Sequence, residues 1–127
     1  WASYYYAGGD TKALHKSYIA NVAGMLQGAI FLVIFGAIGG GSMHVLAILI
    51  GIYCFIMTME GAIGLLSTIP GQFLGAAVYF GNLSAGATVH KGDIWYAMAH
   101  TAVIMLIGNL FGIVSAKAPG WFQKPAA

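Results

Sequence analysis

Four long apolar runs limit what this chain can fold into more than any other feature of the sequence. They cover residues 18–38, 44–66, 69–89 and 95–116. A helix of about 20 apolar residues crosses the hydrocarbon core of a bilayer, and each run reaches that length. Backbone amides in a bilayer must be hydrogen-bonded within the protein, so the runs are predicted to be transmembrane helices.

The composition agrees with lipid as the main solvent. Only 6% of the residues are charged and 60% are hydrophobic, whereas a soluble domain carries about 25% charged residues. Arginine is absent, which removes the usual bidentate contacts to phosphate, and no nucleic-acid partner is expected. The single cysteine, Cys54, excludes an internal disulfide.

Short links between the runs predict an all-α integral membrane fold, an antiparallel bundle of four transmembrane helices. The alternative is three spans plus one re-entrant or interfacial helix. Run 69–89 decides between them, because it is rich in Gly and Ala and contains Gln72 and Asn82. Outside the bundle, residues 1–17 are predicted to be an interfacial N-terminal arm, rich in Trp and Tyr, and residues 117–127 an interfacial tail.

The lysines favour four spans. With four crossings, one membrane side carries four of the five lysines and the other carries only Lys91; the four are Lys12, Lys16, Lys117 and Lys124. The positive-inside rule then predicts both termini on the cytoplasmic, stromal or matrix side.

Glu60 lies inside the second apolar run, where a charge costs about 2.5 kcal/mol or more. Its side chain should therefore be neutral, paired, or directed at a wet cavity or a partner. At 1.5 Å per residue it lies about 7.5 Å from the centre of its span, toward the inner side. Asn109 reaches a similar depth and Gln27 lies near the centre of the first span. We expect one polar cluster of Glu60, Asn109 and Gln27, with Gln72 as a further candidate.

Three interpretations of Glu60 remain open on sequence alone. A protonated Glu60 hydrogen-bonded to an amide would fix the helix register. Alternatively, the carboxylate contacts a bound molecule or subunit: a pigment metal, a lipid headgroup or a partner's cation. In the third interpretation it carries protons or ions across the membrane.

His100 lies a few residues into the last run and is the best-placed histidine for a haem or pigment ligand. The alternative is an imidazole bonded to a carbonyl or lying at the headgroup layer. The four histidines show no ligand spacing for a metal site. HExxH, GxSxG and a Gly-rich phosphate loop are all missing from the sequence, so no enzyme activity is expected.

Glycines four residues apart mark surfaces where helix backbones can approach closely. Four such pairs occur, and we interpret them as packing surfaces: Gly24/Gly28, Gly36/Gly40, Gly71/Gly75 and Gly108/Gly112.

The segments "GIYCFIMTME", residues 51–60, and "NVAGMLQGAIFLVIFG", residues 21–36, resemble the COPI-associated (TVP15-like) Golgi membrane proteins. That resemblance implies a small four-span protein with a Tyr and then a Glu in its second span. The chain departs from the family in lacking its Gly-Arg-Gly pattern in the third span. It also lacks the Glu–Arg pair with which light-harvesting antenna proteins bind pigment.

The sequence favours a non-catalytic accessory or scaffolding subunit of a larger membrane complex. A bioenergetic complex is preferred, a photosystem before the respiratory chain, in the thylakoid or the mitochondrial inner membrane. Chlorophyll or carotenoid would then contact His100, Glu60, Asn109 and Gln27, beside lipids and other membrane subunits. The alternatives are a proton or ion carrier or channel that uses Glu60, and a Golgi or vesicle membrane protein.

Overall fold

The computed structural model describes residues 1–38, 41–86 and 92–122, and all regular structure in these ranges is helical. A 3₁₀ turn, Glu60–Ala62, continues the third helix. The prediction of an all-helical chain is confirmed for the residues described. The helices are α1 (Ala2–Tyr6), α2 (Thr11–Ile38), α3 (Met43–Met59), α4 (Ile69–Ser84) and α5 (Ile94–Phe122).

Three helical segments in the described ranges are long and apolar enough to cross a membrane: Thr11–Ile38, Met43–Ala62 and Ile94–Phe122. They indicate a membrane protein in contact with lipid. Helix α4 has 16 residues, about 24 Å at 1.5 Å per residue, which is shorter than the roughly 30 Å hydrocarbon core. The four-span bundle is therefore not confirmed. The end of its third span, residues 87–89, lies outside the described residues.

Two aspartates set the starts of the longest helices. Asp10 Oδ1 accepts the backbone N–H of Ala13 at 2.7 Å, so α2 begins well before the predicted span. Asp93 Oδ1 accepts the N–H groups of Trp95 and Tyr96, both at 3.0 Å, at the start of α5. Each carboxylate satisfies helix N–H groups that have no partner within the helix.

Helix α4 crosses α2 at two glycines, one on each helix, and each of them faces the backbone of the other helix. A Cβ atom added to Gly24 would lie 2.0 Å from the carbonyl oxygen of Gln72, and one added to Gly75 would lie 2.1 Å from that of Asn21. Real Cβ atoms are not found that close to backbone, so only glycine fits at these two positions. The packing role predicted for the pairs Gly24/Gly28 and Gly71/Gly75 is confirmed.

The contacts along this crossing show its direction. Gly71 lies against Ala20, and further along both helices Tyr79 lies against Gly28. Helix α4 therefore runs in the same direction as α2. This arrangement places its first turn beside the middle of α2.

Helix α5 runs the opposite way. Ser17, early in α2, bonds to Asn109, in the middle of α5, whereas residues further along α2 pack with the start of α5 in the apolar core. The buried core residues are Met25, Ala29, Tyr79 and Ala97, surrounded by Val22, Leu32, Phe80, Leu83, Met98, Ala102 and Met105.

Helix α1 packs against α5 through Tyr4. Ser3 and Tyr4 are buried, and a Cβ on Gly112 would lie 2.7 Å from the Tyr4 ring. The Tyr4 hydroxyl also donates to the Gly9 carbonyl at 2.6 Å. The predicted arm is thus a short helix, followed by the start of α2, and its place at the membrane interface stays a prediction. The tail continues α5 to Phe122; residues 123–127 lie outside the described residues.

Helix α3 is the least covered of the long helices. Met57 is its one buried residue. Tyr53 ties it to α2 by donating its hydroxyl hydrogen to the Gly24 carbonyl at 2.9 Å and by packing on Phe31, with ring centroids 5.5 Å apart.

Candidate functional site

Three polar side chains meet between the helices, and we call them the Glu60 cluster. They are Gln27 of α2, Glu60 of the 3₁₀ turn and Gln72 of α4. Gln27 Nε2 donates to Glu60 Oε2 and, at 3.4 Å, to Gln72 Oε1. Gln72 is completely buried, and its Nε2 donates to the Leu66 carbonyl at 2.9 Å. The cluster therefore joins three helical elements and the α3–α4 loop.

Glu60 occupies this place because α3 ends just before it. The helix stops at Met59, Glu60 opens the 3₁₀ turn, and Ile63 already has an extended backbone. Helical structure thus ends before Leu66, the last residue of the second apolar run. Glu60 lies at the end of its helix, half-buried, and it accepts a hydrogen bond from the Gln27 amide, a contact that one of the three interpretations of Glu60 requires.

The Glu60 cluster has more acceptors than donors. Gln27 Oε1 is buried and has no hydrogen-bond partner, and within the described residues Glu60 Oε1 has none either. Exchanging the oxygen and nitrogen of the Gln27 amide would turn two oxygens toward each other and leave the nitrogen unsatisfied. In the orientation found, Gln27 Oε1 is a buried acceptor without a donor among the described residues.

A second buried cluster, the Asn109 cluster, consists of Ser3, Ser17, Asn21 and Asn109. Asn109 Oδ1 accepts from Ser17 Oγ at 2.9 Å and from Ser3 Oγ at 3.3 Å. Asn21 Nδ2 donates to Ser3 Oγ at 3.1 Å. The side chains of this cluster come from α1, α2 and α5, so the cluster holds α1 against the two long helices.

The sequence predicts a single polar cluster, and that prediction is wrong for one residue, Asn109. Asn109 does not reach Glu60, because it bonds to Ser17, which lies about 15 Å from Gln27 along α2 at 1.5 Å per residue. Depths counted from the centres of predicted spans cannot give the register of packed helices or the face on which a side chain lies. Gln72, by contrast, does join Gln27 and Glu60.

His100 lies apart from both clusters, half-buried on α5. Its ring stacks on Tyr96, with centroids 6.4 Å apart and the planes inclined by 8°. Its Nδ1 is buried without a hydrogen-bond partner in the described part of the chain. The four residues predicted to contact a pigment thus lie in three places, and their pigment contact stays a prediction.

Two apolar grooves flank α3. The α2–α3 groove, about 260 Å³, is lined by Gln27, Ile30, Phe31, Ile34, Leu49, Ile52, Tyr53 and Ile56. The α2–α3–α4 groove, about 450 Å³, is lined by Phe31, Leu32, Leu46, Ile50, Tyr53, Cys54, Phe73, Ala76, Ala77 and Phe80.

Sequence reasoning missed Ser3, Ser17 and Asn21. The spacing of Ser17 and Asn21, four residues apart, places both on one face of α2 and could have indicated a polar contact there. In the ranges that the structure describes, no three His, Cys, Asp or Glu side chains come close enough to hold a metal ion. His90 lies outside those ranges.

Long apolar helices that bury two small polar clusters define a small integral membrane protein. The chain belongs to the family described as "Protein of unknown function (DUF1097)", whose profile matches residues 1–120. No curated protein and no solved structure matches the chain.

Proposed function

We propose that the protein is a non-catalytic helical subunit of a larger membrane assembly. The observation that carries the proposal is the bare surface of α3. Only 6% of the apolar window in Met43–Ala62 is buried, against 39% in Thr11–Ile38. A helix that packs so little within its own chain has its surface free for the helix of a partner.

The α2–α3–α4 groove is the place for that partner helix. Its small residues Ala76 and Ala77 allow a close backbone approach. Lipid provides no hydrophobic drive for helix association, so close packing and interhelical hydrogen bonds must supply the stability. A concave apolar groove offers more packing contact than a convex helix surface.

Four crossings remain the proposed topology, with both termini on the cytoplasmic, stromal or matrix side. Helix α4 supports it by running in the same direction as α2, and α5 by running the opposite way. Lys12, Lys16 and Lys117 would then share one side, as the positive-inside rule requires.

The narrower assignments are also proposals. A bioenergetic complex, photosystem before respiratory chain, in the thylakoid or the mitochondrial inner membrane, is supported by Gly- and Ala-rich helices flanked by aromatic residues. Chlorophyll or carotenoid contact would involve His100, Glu60, Asn109 and Gln27. The Golgi or vesicle alternative is supported by the resemblance of the first two apolar runs to the COPI-associated proteins.

We expect the protein, purified from its native membrane in mild detergent, to be part of a complex far heavier than its own 13.3 kDa. Ala77→Trp should break the complex, because the indole fills the α2–α3–α4 groove. Native mass spectrometry measures both results, and the absorption spectrum of the same sample tests for bound pigment.

Ala99→Trp is the matched control, since Ala99 is exposed on α5 and does not line the groove. It should leave the mass of the complex unchanged. A wild-type protein with the mass of the single chain, or a complex whose mass is unchanged by Ala77→Trp, would contradict the proposal.

A proton or ion carrier is the second candidate, favoured by the unpaired Gln27 Oε1 beside Glu60. If Glu60 titrates during transport, Glu60→Gln should lower proton flux into proteoliposomes by at least about tenfold while thermal stability stays near wild type, because the amide keeps the size of the carboxylate. A pH-sensitive dye inside the vesicles measures the flux. Equal flux in wild type and variant would refute the carrier.

A further inference from the structure

A pocket of about 300 Å³ lies where α1, the start of α2 and the last turns of α5 meet, and we call it the Asp10–Lys117 pocket. Its lining residues are Tyr4, Gly9, Asp10, Thr11, Ile113, Ala116 and Lys117. The two grooves beside α3 have no charged side chain in their walls, whereas this pocket has one of each sign. Asp10 and Lys117 are exposed, so a molecule outside the helices has access to both.

The two charged groups of the pocket do not neutralise each other. Asp10 Oδ1 accepts the N–H of Ala13 at 2.7 Å, and among the described residues this is the only hydrogen bond of the carboxylate, so Oδ2 is free. The Lys117 ammonium makes neither a hydrogen bond nor an ion pair within the described part of the chain. A ligand that brings a cation to Asp10 and an anion to Lys117 offsets both charges.

The pocket lies at the ends of two predicted spans, at the depth of lipid headgroups. Asp10 and Thr11 precede the apolar run 18–38, and Lys117 directly follows the run 95–116. The tyrosines of α1 beside the pocket belong to the class of side chains that is enriched at membrane interfaces. A phospholipid headgroup therefore reaches this pocket without entering the hydrocarbon core.

An exposed apolar stripe on α5 leads from the pocket toward the centre of the bilayer. Ile113 lines the pocket, and Leu110 and Leu106 precede it by three and seven residues, which places the three side chains on one face of the helix. Leu110 and Leu106 are exposed. An acyl chain that follows this stripe stays in contact with the protein while its headgroup occupies the pocket.

The charges of the pocket select among headgroups. An ethanolamine phospholipid has a phosphate, which suits Lys117, and a primary ammonium with three N–H donors, which suits Asp10. A choline headgroup has the phosphate but no N–H. A phosphoglycerol headgroup has no cation for Asp10 and brings a second negative charge close to that carboxylate.

We infer that the Asp10–Lys117 pocket binds the headgroup of an ethanolamine phospholipid. The lipid ammonium bonds to Asp10 Oδ2, and the phosphate bonds to the Lys117 ammonium and to the Thr11 hydroxyl. One acyl chain lies along the apolar stripe of α5. Asp10 keeps its bond to Ala13 through Oδ1, so the start of α2 is unchanged by binding.

Native mass spectrometry of the full chain in detergent tests the inference. The probes are phosphatidylethanolamine, phosphatidylcholine and phosphatidylglycerol with identical acyl chains. We expect the ethanolamine lipid to bind about fivefold more tightly than the choline lipid, the upper end of what one exposed ion pair supplies. The glycerol lipid should also bind more weakly than the ethanolamine lipid.

Two substitutions separate the two ends of the headgroup. Asp10→Asn keeps an oxygen that caps α2 but removes the charge, so binding of the ethanolamine lipid should fall to the level of the choline lipid. Lys117→Gln should weaken both lipids by a similar factor, because both carry the phosphate. Lys12→Gln is the matched control, since Lys12 is exposed at the same end of the bundle and does not line the pocket; it should leave both affinities unchanged.

Ala116→Trp should fill the pocket and abolish binding of the ethanolamine lipid. Val114→Trp is its control, since Val114 is exposed on the same helix and does not line the pocket. Helix content by circular dichroism shows that each variant is folded.

Four results would overturn the inference: equal binding of the ethanolamine and choline lipids, tighter binding of the glycerol lipid, a preference that survives Asp10→Asn, or an equal loss with Lys12→Gln and Lys117→Gln. Water-soluble glycerophosphoethanolamine should not compete at the concentration at which the lipid binds. Competition there would show a site for a soluble zwitterion and would overturn the lipid assignment. The pocket shares no residue with the α2–α3–α4 groove, so either outcome leaves the partner helix to its own test.

Discussion

Replacing Gly75 by alanine is expected to lower the free energy of unfolding by about 3 kcal/mol, the upper end of the usual cost of overpacking. The added methyl group would lie 2.1 Å from the Asn21 carbonyl oxygen and 2.7 Å from its carbon. These are backbone atoms of a long helix, which cannot rotate away as a side chain can. Helices α2 and α4 must separate, and the core around Tyr79 opens with them. Unfolding in detergent, followed by circular dichroism during a titration with SDS, measures the change.

Gly81→Ala is the matched control on the same helix. Gly81 is exposed and a Cβ there would have no atom within 4 Å, so alanine should stabilise α4 by about 0.5–1 kcal/mol through its higher helix propensity. Gly24→Ala, on the other side of the crossing, should repeat the loss seen for Gly75. Equal stability of the Gly75 and Gly81 variants would show that the crossing is not as close as described.

Replacing Asn109 by alanine is expected to cost about 2 kcal/mol and to release α1. Asn109 Oδ1 accepts hydrogen bonds from Ser3 and Ser17, and without it a buried hydroxyl hydrogen loses its acceptor. Ser3 is the residue through which α1 bonds to both α2 and α5. Hydrogen exchange measured by mass spectrometry should therefore become at least about tenfold faster in residues 2–6.

Asn82→Ala provides the comparison for this prediction. Asn82 Nδ2 donates to Thr101 Oγ1 at 2.9 Å, so the variant also deletes an amide hydrogen bond between helices, but it does not touch α1. It should leave the exchange of residues 2–6 as in wild type. Faster exchange there in both variants would point to general loosening and would contradict the role given to Asn109.

The helices themselves were predictable from local features. Apolar runs of membrane length follow from the pattern of the sequence, and Asp10 and Asp93 lie where a helix start requires a cap. The glycine spacing indicated close packing, and two of the four pairs, Gly24/Gly28 and Gly71/Gly75, form the α2–α4 crossing. Gly36 has no atom within 4 Å of an added Cβ, and Gly40 lies outside the described residues, so spacing alone did not say which pairs would be used.

The polar contacts were predictable only in part. Gln27 and Glu60 were expected together on the basis of depth, and they are hydrogen-bonded. Depth failed for Asn109, because two side chains at one depth meet only if both also lie on facing sides of their helices. The rotation of each helix about its axis depends on how α4 packs on α2 at the glycines and how Tyr4 of α1 packs on Gly112. These are contacts between distant parts of the chain.

Sequence alone determined that this chain is helical and apolar enough for a membrane, because backbone hydrogen bonding and hydropathy act within each segment. The tertiary structure decided the rest: that α3 ends just before Glu60, that α4 has only 16 residues, and which buried oxygens are left without a donor. These features depend on contacts between segments, so they cannot be predicted from the sequence of any one segment.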